Sequence, residues 1–310
     1  FVINVIEDDA TADQLIPAYY GYTNQANMSL EKSEGESFVY LLIRKKVLEA
    51  LLKMDDEDDF NSEKMYEFDN KIRIQLKSES ETVMTQNVVA YLEGTDPVLK
   101  KEYVGFGAHY DHVGVDGNKI FNGADDDGSG TVGVLTIAKT IAMQPTKRSI
   151  FIIFHTGEEK GLYGSEYYTN HPLIPLKDMV TVLNIDMIGS YYQPDKVHII
   201  GADRISQELH DINVMMNKET VNMDLDYTYN AENHPERLYY RSDHYNYAKK
   251  GIPIIFYTND NPDHYHKESD TVETINFTKM KRITELALAT GYYVANKAER
   301  LKIKSSTASN

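Results

Sequence analysis

The stretch Tyr103-Val104-Gly105-Phe106-Gly107-Ala108-His109-Tyr110-Asp111-His112 decides the fold class. Residues 103–108 are apolar or small with no polar alternation, the pattern of a strand covered on both faces, as the strands of parallel sheets are. Similar runs lie at 149–155 and 179–186, and shorter ones at 197–200 and 253–257. Between and after them, helical periodicity fits 130–143, 162–170, 204–217, 243–250 and 278–297. Strand alternating with helix predicts an α/β domain: a mostly parallel twisted sheet with helices on both faces. Such sheets bind ligands at the carboxyl ends of their strands, so chemistry is expected in the residues that follow each apolar run.

Ahead of this region the chain reads differently. Phe1-Val2-Ile3-Asn4-Val5-Ile6 has the character of a core strand with nothing before it, so a natural N-terminus further upstream, with any signal peptide, is expected. A strand fits 37–43, a helix 44–52, and further strands 71–77 and 86–93. The acidic run Asp55-Asp56-Glu57-Asp58-Asp59 lacks the glycine and distal glutamate of a calcium loop and reads as a solvated segment. These features predict a smaller, partial α/β domain over 1–77, the main domain over 78–303 and a polar tail over 304–310.

Composition narrows the chemistry. Among 310 residues there are 32 Lys and Arg against 48 Asp and Glu, a net charge of −16, with no Cys and no Trp. The charge and the absence of a basic stripe argue against a nucleic-acid partner. No apolar run is long enough to insert into a membrane. Without cysteine, any metal must be held by carboxylates and imidazoles.

Those groups crowd the predicted strand ends. His109, Asp111 and His112 follow the first run, Glu158 and Glu159 follow the second, and Asp186 ends the third. Between them, Gly123-Ala124-Asp125-Asp126-Asp127-Gly128-Ser129-Gly130 puts three carboxylates in a glycine-flanked loop. Taken singly, each has a plain structural explanation as a helix cap or a solvated side chain. Converging on one sheet edge, they would repel one another unless cations neutralise them, and a divalent ion such as zinc suits the donor set.

With 122–130, 157–159, 184–189 and 265–270, the 107–112 segment resembles the co-catalytic di-zinc aminopeptidases, family twenty-eight of the metallopeptidases, with all five motifs in family order. The resemblance implies a zinc-dependent exopeptidase fold and two zinc ions per chain. His109 and Asp186 would hold one ion, Glu159 and His266 the other, and Asp126 would bridge them, followed by a cis peptide to Asp127. Glu158 matches the family's general base, and Tyr265 the tyrosine that steadies the oxyanion. Asp111 is placed to accept from the ring of His109, and Asp270 could do likewise for His266, with simple loop capping as the alternative for both. Asp243, in Arg241-Ser242-Asp243-His244, matches a substrate-proximal position. The first 75 or so residues resemble part of a protease-associated domain.

The function implied is hydrolysis of the N-terminal peptide bond of peptides with a free amine, in a secreted or periplasmic setting; oligomeric state is not readable. Dipeptidase or carboxypeptidase activity stays open, because Arg241 is a candidate partner for a substrate carboxylate. Glutaminyl cyclases resemble this family but surround their pocket with tryptophan, which this chain lacks. An inactive binding module is the remaining alternative, and it conflicts with the presence of all five ligand positions and Glu158.

Overall fold

The computed structural model describes residues 2–6, 8–23, 29–30, 40–52 and 81–304. The chain divides into two units that part between Val83 and Met84. In the first, β1 (Val2–Ile6), α1 (Asp9–Thr23), β2 (Tyr40–Arg44) and α2 (Lys45–Leu52) follow one another. Strands β1 and β2 are parallel, with Val2 opposite Tyr40 and Ile6 opposite Arg44. Asp8 accepts from the N–H of Ala10 at 3.3 Å and of Thr11 at 2.6 Å, capping α1. Arg44 pairs with Asp9 at 3.2 Å and with Asp13. The sequence reading had no helix at α1, because Pro17 and Gly21 interrupt its pattern. The strand expected at 71–77 and the acidic run 55–59 lie outside the described residues.

In the second unit the order is β3 (Val88–Leu92), β4 (Tyr103–His109), β5 (Gly114–Asp116), β6 (Lys119–Phe121), α3 (Gly130–Met143), β7 (Ser149–His155), α4 (Tyr163–Asn170) and β8 (Met179–Ile185). Then come β9 (Lys196–Ile200), α5 (Ala202–Ile205), α6 (Gln207–Glu219), β10 (Asp224–Asp226), α7 (His244–Ala248), β11 (Ile254–Thr258) and α8 (Phe277–Asn296). Seven strands form one sheet in the order β10-β9-β11-β8-β4-β7-β3. Strand β4 sits between β7 and β8 and runs parallel to both. Pairs β8–β11 and β9–β10 are also parallel, whereas β3–β7 and β9–β11 are antiparallel. The expected mostly parallel sheet is present, and β5 and β6 make a separate short hairpin.

Alternation along the strands fills two cores. Phe106, Ile152 and Leu183 pack with Ile137 of α3, Leu209 of α6 and Ile283 of α8, while Phe151, Ile153 and Val182 pack with Tyr168 of α4 and Tyr247 of α7. Helices therefore cover both faces. Arg148, fully buried, pairs with Glu102 at 2.7 Å and donates to the carbonyls of Val294 and Lys297, tying the end of α8 to the start of β7. The helix expected at 204–217 is broken at Ser206, whose hydroxyl accepts from the N–H of Leu209 at 3.3 Å and starts α6 afresh.

His244, at the start of α7, is fully buried, stacks on Phe256 and has its Nε2 2.8 Å from the carbonyl of Tyr239. Burial lowers its pKa to about 3. A histidine depressed in the folded state binds fewer protons there than in the unfolded chain, so its stabilising contribution is present above about pH 6.5 and is lost as pH falls toward 3. At pH 5 the loss is about 2 kcal/mol. Urea unfolding at pH 7.5 and pH 5 is expected to show a smaller pH dependence in His244→Phe than in the parent by about that amount.

Candidate metal centre

The site is assembled where β4, β7 and β8 end. His109 is the last residue of β4, Glu158 and Glu159 lie in the turn after β7, and Asp186 follows β8. His266 comes from the long connection between β11 and α8, and the three aspartates from the wide helical turn Ala124–Ser129 that leads into α3. The Asp126–Asp127 peptide is cis.

The three aspartates divide their work. Asp125 is buried and accepts from the Ser129 hydroxyl at 3.0 Å, the Gly189 N–H at 2.6 Å and the Asn261 amide at 2.7 Å. Asp127 accepts from the N–H groups of His109 at 3.1 Å, Gly130 at 2.9 Å and Met187 at 3.2 Å. Both outer carboxylates are thus consumed by surrounding donors, Asp127 by backbone alone and Asp125 by two side chains and one N–H. A side chain at Gly130 would strike both Asp127 and the carbonyl of Ile185, so the approach of the loop to β8 depends on that glycine.

Asp126 faces the other way and splits its two oxygens. Oδ1 lies 3.2 Å from Nε2 of His109, whose Nε2 is also 3.5 Å from Oδ1 of Asp186. Oδ2 lies 3.1 Å from Nε2 of His266, which is 3.0 Å from Oε2 of Glu159. Two sets of donor atoms each converge within 4.8 Å: His109, Asp126 and Asp186, and His112, Asp126 and Glu159. Burial pushes Asp126 upward, but its bonds to His109 and His266 win and hold it below the ordinary aspartate range. His266, despite partial burial, is raised to about 9 by Asp126 and Glu159.

Glu158 has an oxygen 4.0 Å from Nε2 of His109. Burial above all, and then the charges of Asp186, Asp243 and Glu159, push it well above the ordinary glutamate range against the pull of His109. Asp243 is fully buried beside it and is itself raised to about 7, chiefly by burial. Tyr265 stacks on His266 with ring centroids 3.9 Å apart, and its hydroxyl accepts from Arg241 at 3.3 Å at the rim.

Two supporting residues take the loop-capping alternative and not the ring bond. Nδ1 of His109 is 2.9 Å from the backbone carbonyl of Asp111, and the Asp111 carboxylate instead accepts from the N–H groups of Glu158 at 3.1 Å and Glu159 at 3.4 Å. Asp270 does not bond the ring of His266; its two oxygens accept from the N–H groups of Asp125 at 2.9 Å and Asp126 at 3.1 Å. In both cases a carboxylate takes two backbone donors of a tight turn that would otherwise be buried without partners. Ser242, which donates to Oδ2 of Asp186 at 2.6 Å, and His112 were not assigned from sequence. The only signal for His112 was its position three residues after His109.

A family model described as peptidase family M28 matches residues 87–291, which carry every one of these groups. The chain belongs to the M28 family. A probable leucine aminopeptidase 2 of Aspergillus oryzae is 38% identical over 116 residues, 37% of this chain and 22% of that protein. A probable leucine aminopeptidase of Arthroderma otae is 29% identical over 217 residues, 65% of this chain and 55% of that protein. Among solved structures, the zinc aminopeptidase BSAP of Bacillus subtilis superposes with a TM-score of 0.57 at 23% identity, over 68% of this chain and 50% of that one. The chain thus spans from about a fifth to just over half of the length of these proteins. The M28 match and the shared fold agree with the zinc-exopeptidase architecture expected from the five motifs.

The Asp270 bonds give a test that does not depend on activity. Asp270→Ala leaves two buried N–H groups of the aspartate loop unpaired and is expected to lower the unfolding free energy by about 2–3 kcal/mol, read from the urea midpoint.

Proposed function

We propose that this M28 chain is a zinc-dependent aminopeptidase that removes the N-terminal residue of peptides, with two zinc ions bridged by Asp126. The carrying observation is the split of the Asp126 carboxylate between two imidazole–carboxylate pairs. The donor separations fit this reading: two atoms sharing one zinc at ordinary bond lengths sit roughly 3.3–3.5 Å apart, and those around Asp126 range from 3.0 to 3.5 Å. The set is all oxygen and nitrogen, as a chain without cysteine requires. His109, Asp186 and Asp126 would hold one ion, and His266, Glu159 and Asp126 the other.

When bound, zinc supplies Lewis acidity and lowers the pKa of water. The chain's own groups do the rest. Glu158, 4.0 Å from Nε2 of His109, touches neither histidine pair closely and is free to draw a proton from the attacking water and pass it to the departing amine. Tyr265, held by Arg241, presents a hydroxyl at the rim where a tetrahedral oxyanion forms. Asp111 fixes the turn that carries Glu158, and Asp270 fixes the loop that carries Asp126. Asp243, fully buried, stands near enough for its charge to act on Glu158 and is proposed as substrate-proximal only through that carboxyl. Glu158 and Asp186 are the carboxylates placed to attract a free N-terminal amine.

The same reading places the chain in a secreted or periplasmic setting, supported by its freedom from oxidisable cysteine. No described helix is long and apolar enough to cross a membrane. Dipeptidase or carboxypeptidase activity has one observation in its favour, the guanidinium of Arg241 at the rim. Purified chain is expected to contain two zinc ions by elemental analysis and to cleave peptides with a free amine but not their N-acetylated forms. Equal cleavage of blocked peptides removes the aminopeptidase assignment, and cyclisation of N-terminal Gln without hydrolysis assigns the chain to cyclases instead. Glu158→Gln is expected to keep both ions while kcat falls by at least about 100-fold.

A further inference from the structure

His112 belongs to none of the roles above, yet it stands inside the centre. Its side chain is 9% exposed, and its Nδ1 is 2.8 Å from Oε1 of Glu159 and 3.8 Å from Oδ2 of Asp126. The 2.8 Å contact is not an aligned hydrogen bond: Nδ1 and Nε2 of His112 and Oε1 of Glu159 are all buried without a hydrogen-bond partner. Buried polar atoms in a native structure are nearly always partnered, so the two orphans that face each other, Nδ1 of His112 and Oε1 of Glu159, point to something between them that accepts lone pairs. A cation does so, because an imidazole nitrogen and a carboxylate oxygen both offer it lone pairs.

The ring is held where it is. Any side chain at Gly123 would strike its Cβ and Cγ at 2.8 and 2.6 Å, so the aspartate loop closes on His112 only because residue 123 is glycine. On its other side the ring meets His266 edge to face, with centroids 5.7 Å apart. His112, Glu159 and Asp126 thus bring donor atoms within 4.8 Å of one another, with His266 beside them, from four different segments.

We propose that His112 is a further ligand, through Nδ1, of the ion held by Glu159 and His266, which makes the two metal positions unequal. This rests on the two-ion reading above. One position then has one imidazole, His109, and the other has two. The second imidazole raises the share of nitrogen donors, which suits zinc better than the harder oxygen-seeking cations. It also assigns the pair of histidines in His109-Tyr110-Asp111-His112 to different ions, with Asp111 between them bonding the turn of Glu158 and Glu159.

The test uses the full chain loaded with metal. Zinc release is followed across a chelator titration in the parent and in His112→Gln, and the parent is also loaded with cadmium-113 after labelling histidine with nitrogen-15. Expected are two ions per chain in the parent, loss of one of them from His112→Gln at a chelator level at least about 10-fold lower, and cadmium coupling to three imidazoles. Equal retention of both ions in the two proteins, or coupling to two imidazoles alone, overturns the assignment of His112. A parent that takes up fewer than two ions overturns the two-ion reading itself. The coupling experiment needs no variant, so it decides the matter even if His112→Gln does not fold.

Discussion

Mutual repulsion among buried carboxylates is the constraint on which this structure turns. Asp126, Glu158, Glu159, Asp186 and Asp243 meet at one edge of the sheet, and most of them are nearly closed off from water. Desolvation penalises every one of those charges, and each raises the cost of ionising its neighbours. Elsewhere in the molecule the same difficulty is met by pairing, as with Arg148 and Glu102. At the centre there is no Lys or Arg in an equivalent position among the described residues, and imidazoles take that place. A cluster of this kind persists when positive charge is returned to it, and under the proposed function metal is what returns it.

The backbone answers the same constraint at one remove. Carboxylates that do not face the centre are neutralised by oriented N–H groups: Asp127 by three, Asp111 and Asp270 by two each. Acidic residues thus serve here as rivets between loops, and the acidity of the chain is partly an account of its loop joints. Positive backbone φ at Met187 and His266, in the segments that present Asp186 and the second imidazole, belongs to the same local remodelling.

Much of this was legible in the sequence, for physical reasons. Strands buried on both faces leave uninterrupted apolar runs, so β4, β7 and β8 were read almost to the residue, and helices with one apolar face were read nearly as well. The residues gathered around Asp126 were legible through the resemblance of five motifs to a known family, and the structure brings them to one place. What the sequence could not carry was partner choice. A carboxylate two residues from a histidine is equally able to bond its ring or a distant turn, and only the folded arrangement shows that Asp111 and Asp270 bond backbone. His112 was hidden for a related reason: one histidine near others has no spacing rule that separates a ligand from a packed side chain. The break at Ser206 was missed because a capping serine within an apolar periodicity looks like a helix interior until its hydroxyl is seen.

Asp127 carries a consequence of its own. Its single carboxylate links the end of β4, the start of α3 and the residue after Asp186, so it sets the mutual spacing of three segments that hold ligands without facing the centre itself. In a mutational scan scored by turnover, such a position is indistinguishable from a reacting group. A map of activity loss on this protein is therefore wider than its chemistry, and the excess traces the joints that keep the chemistry in register.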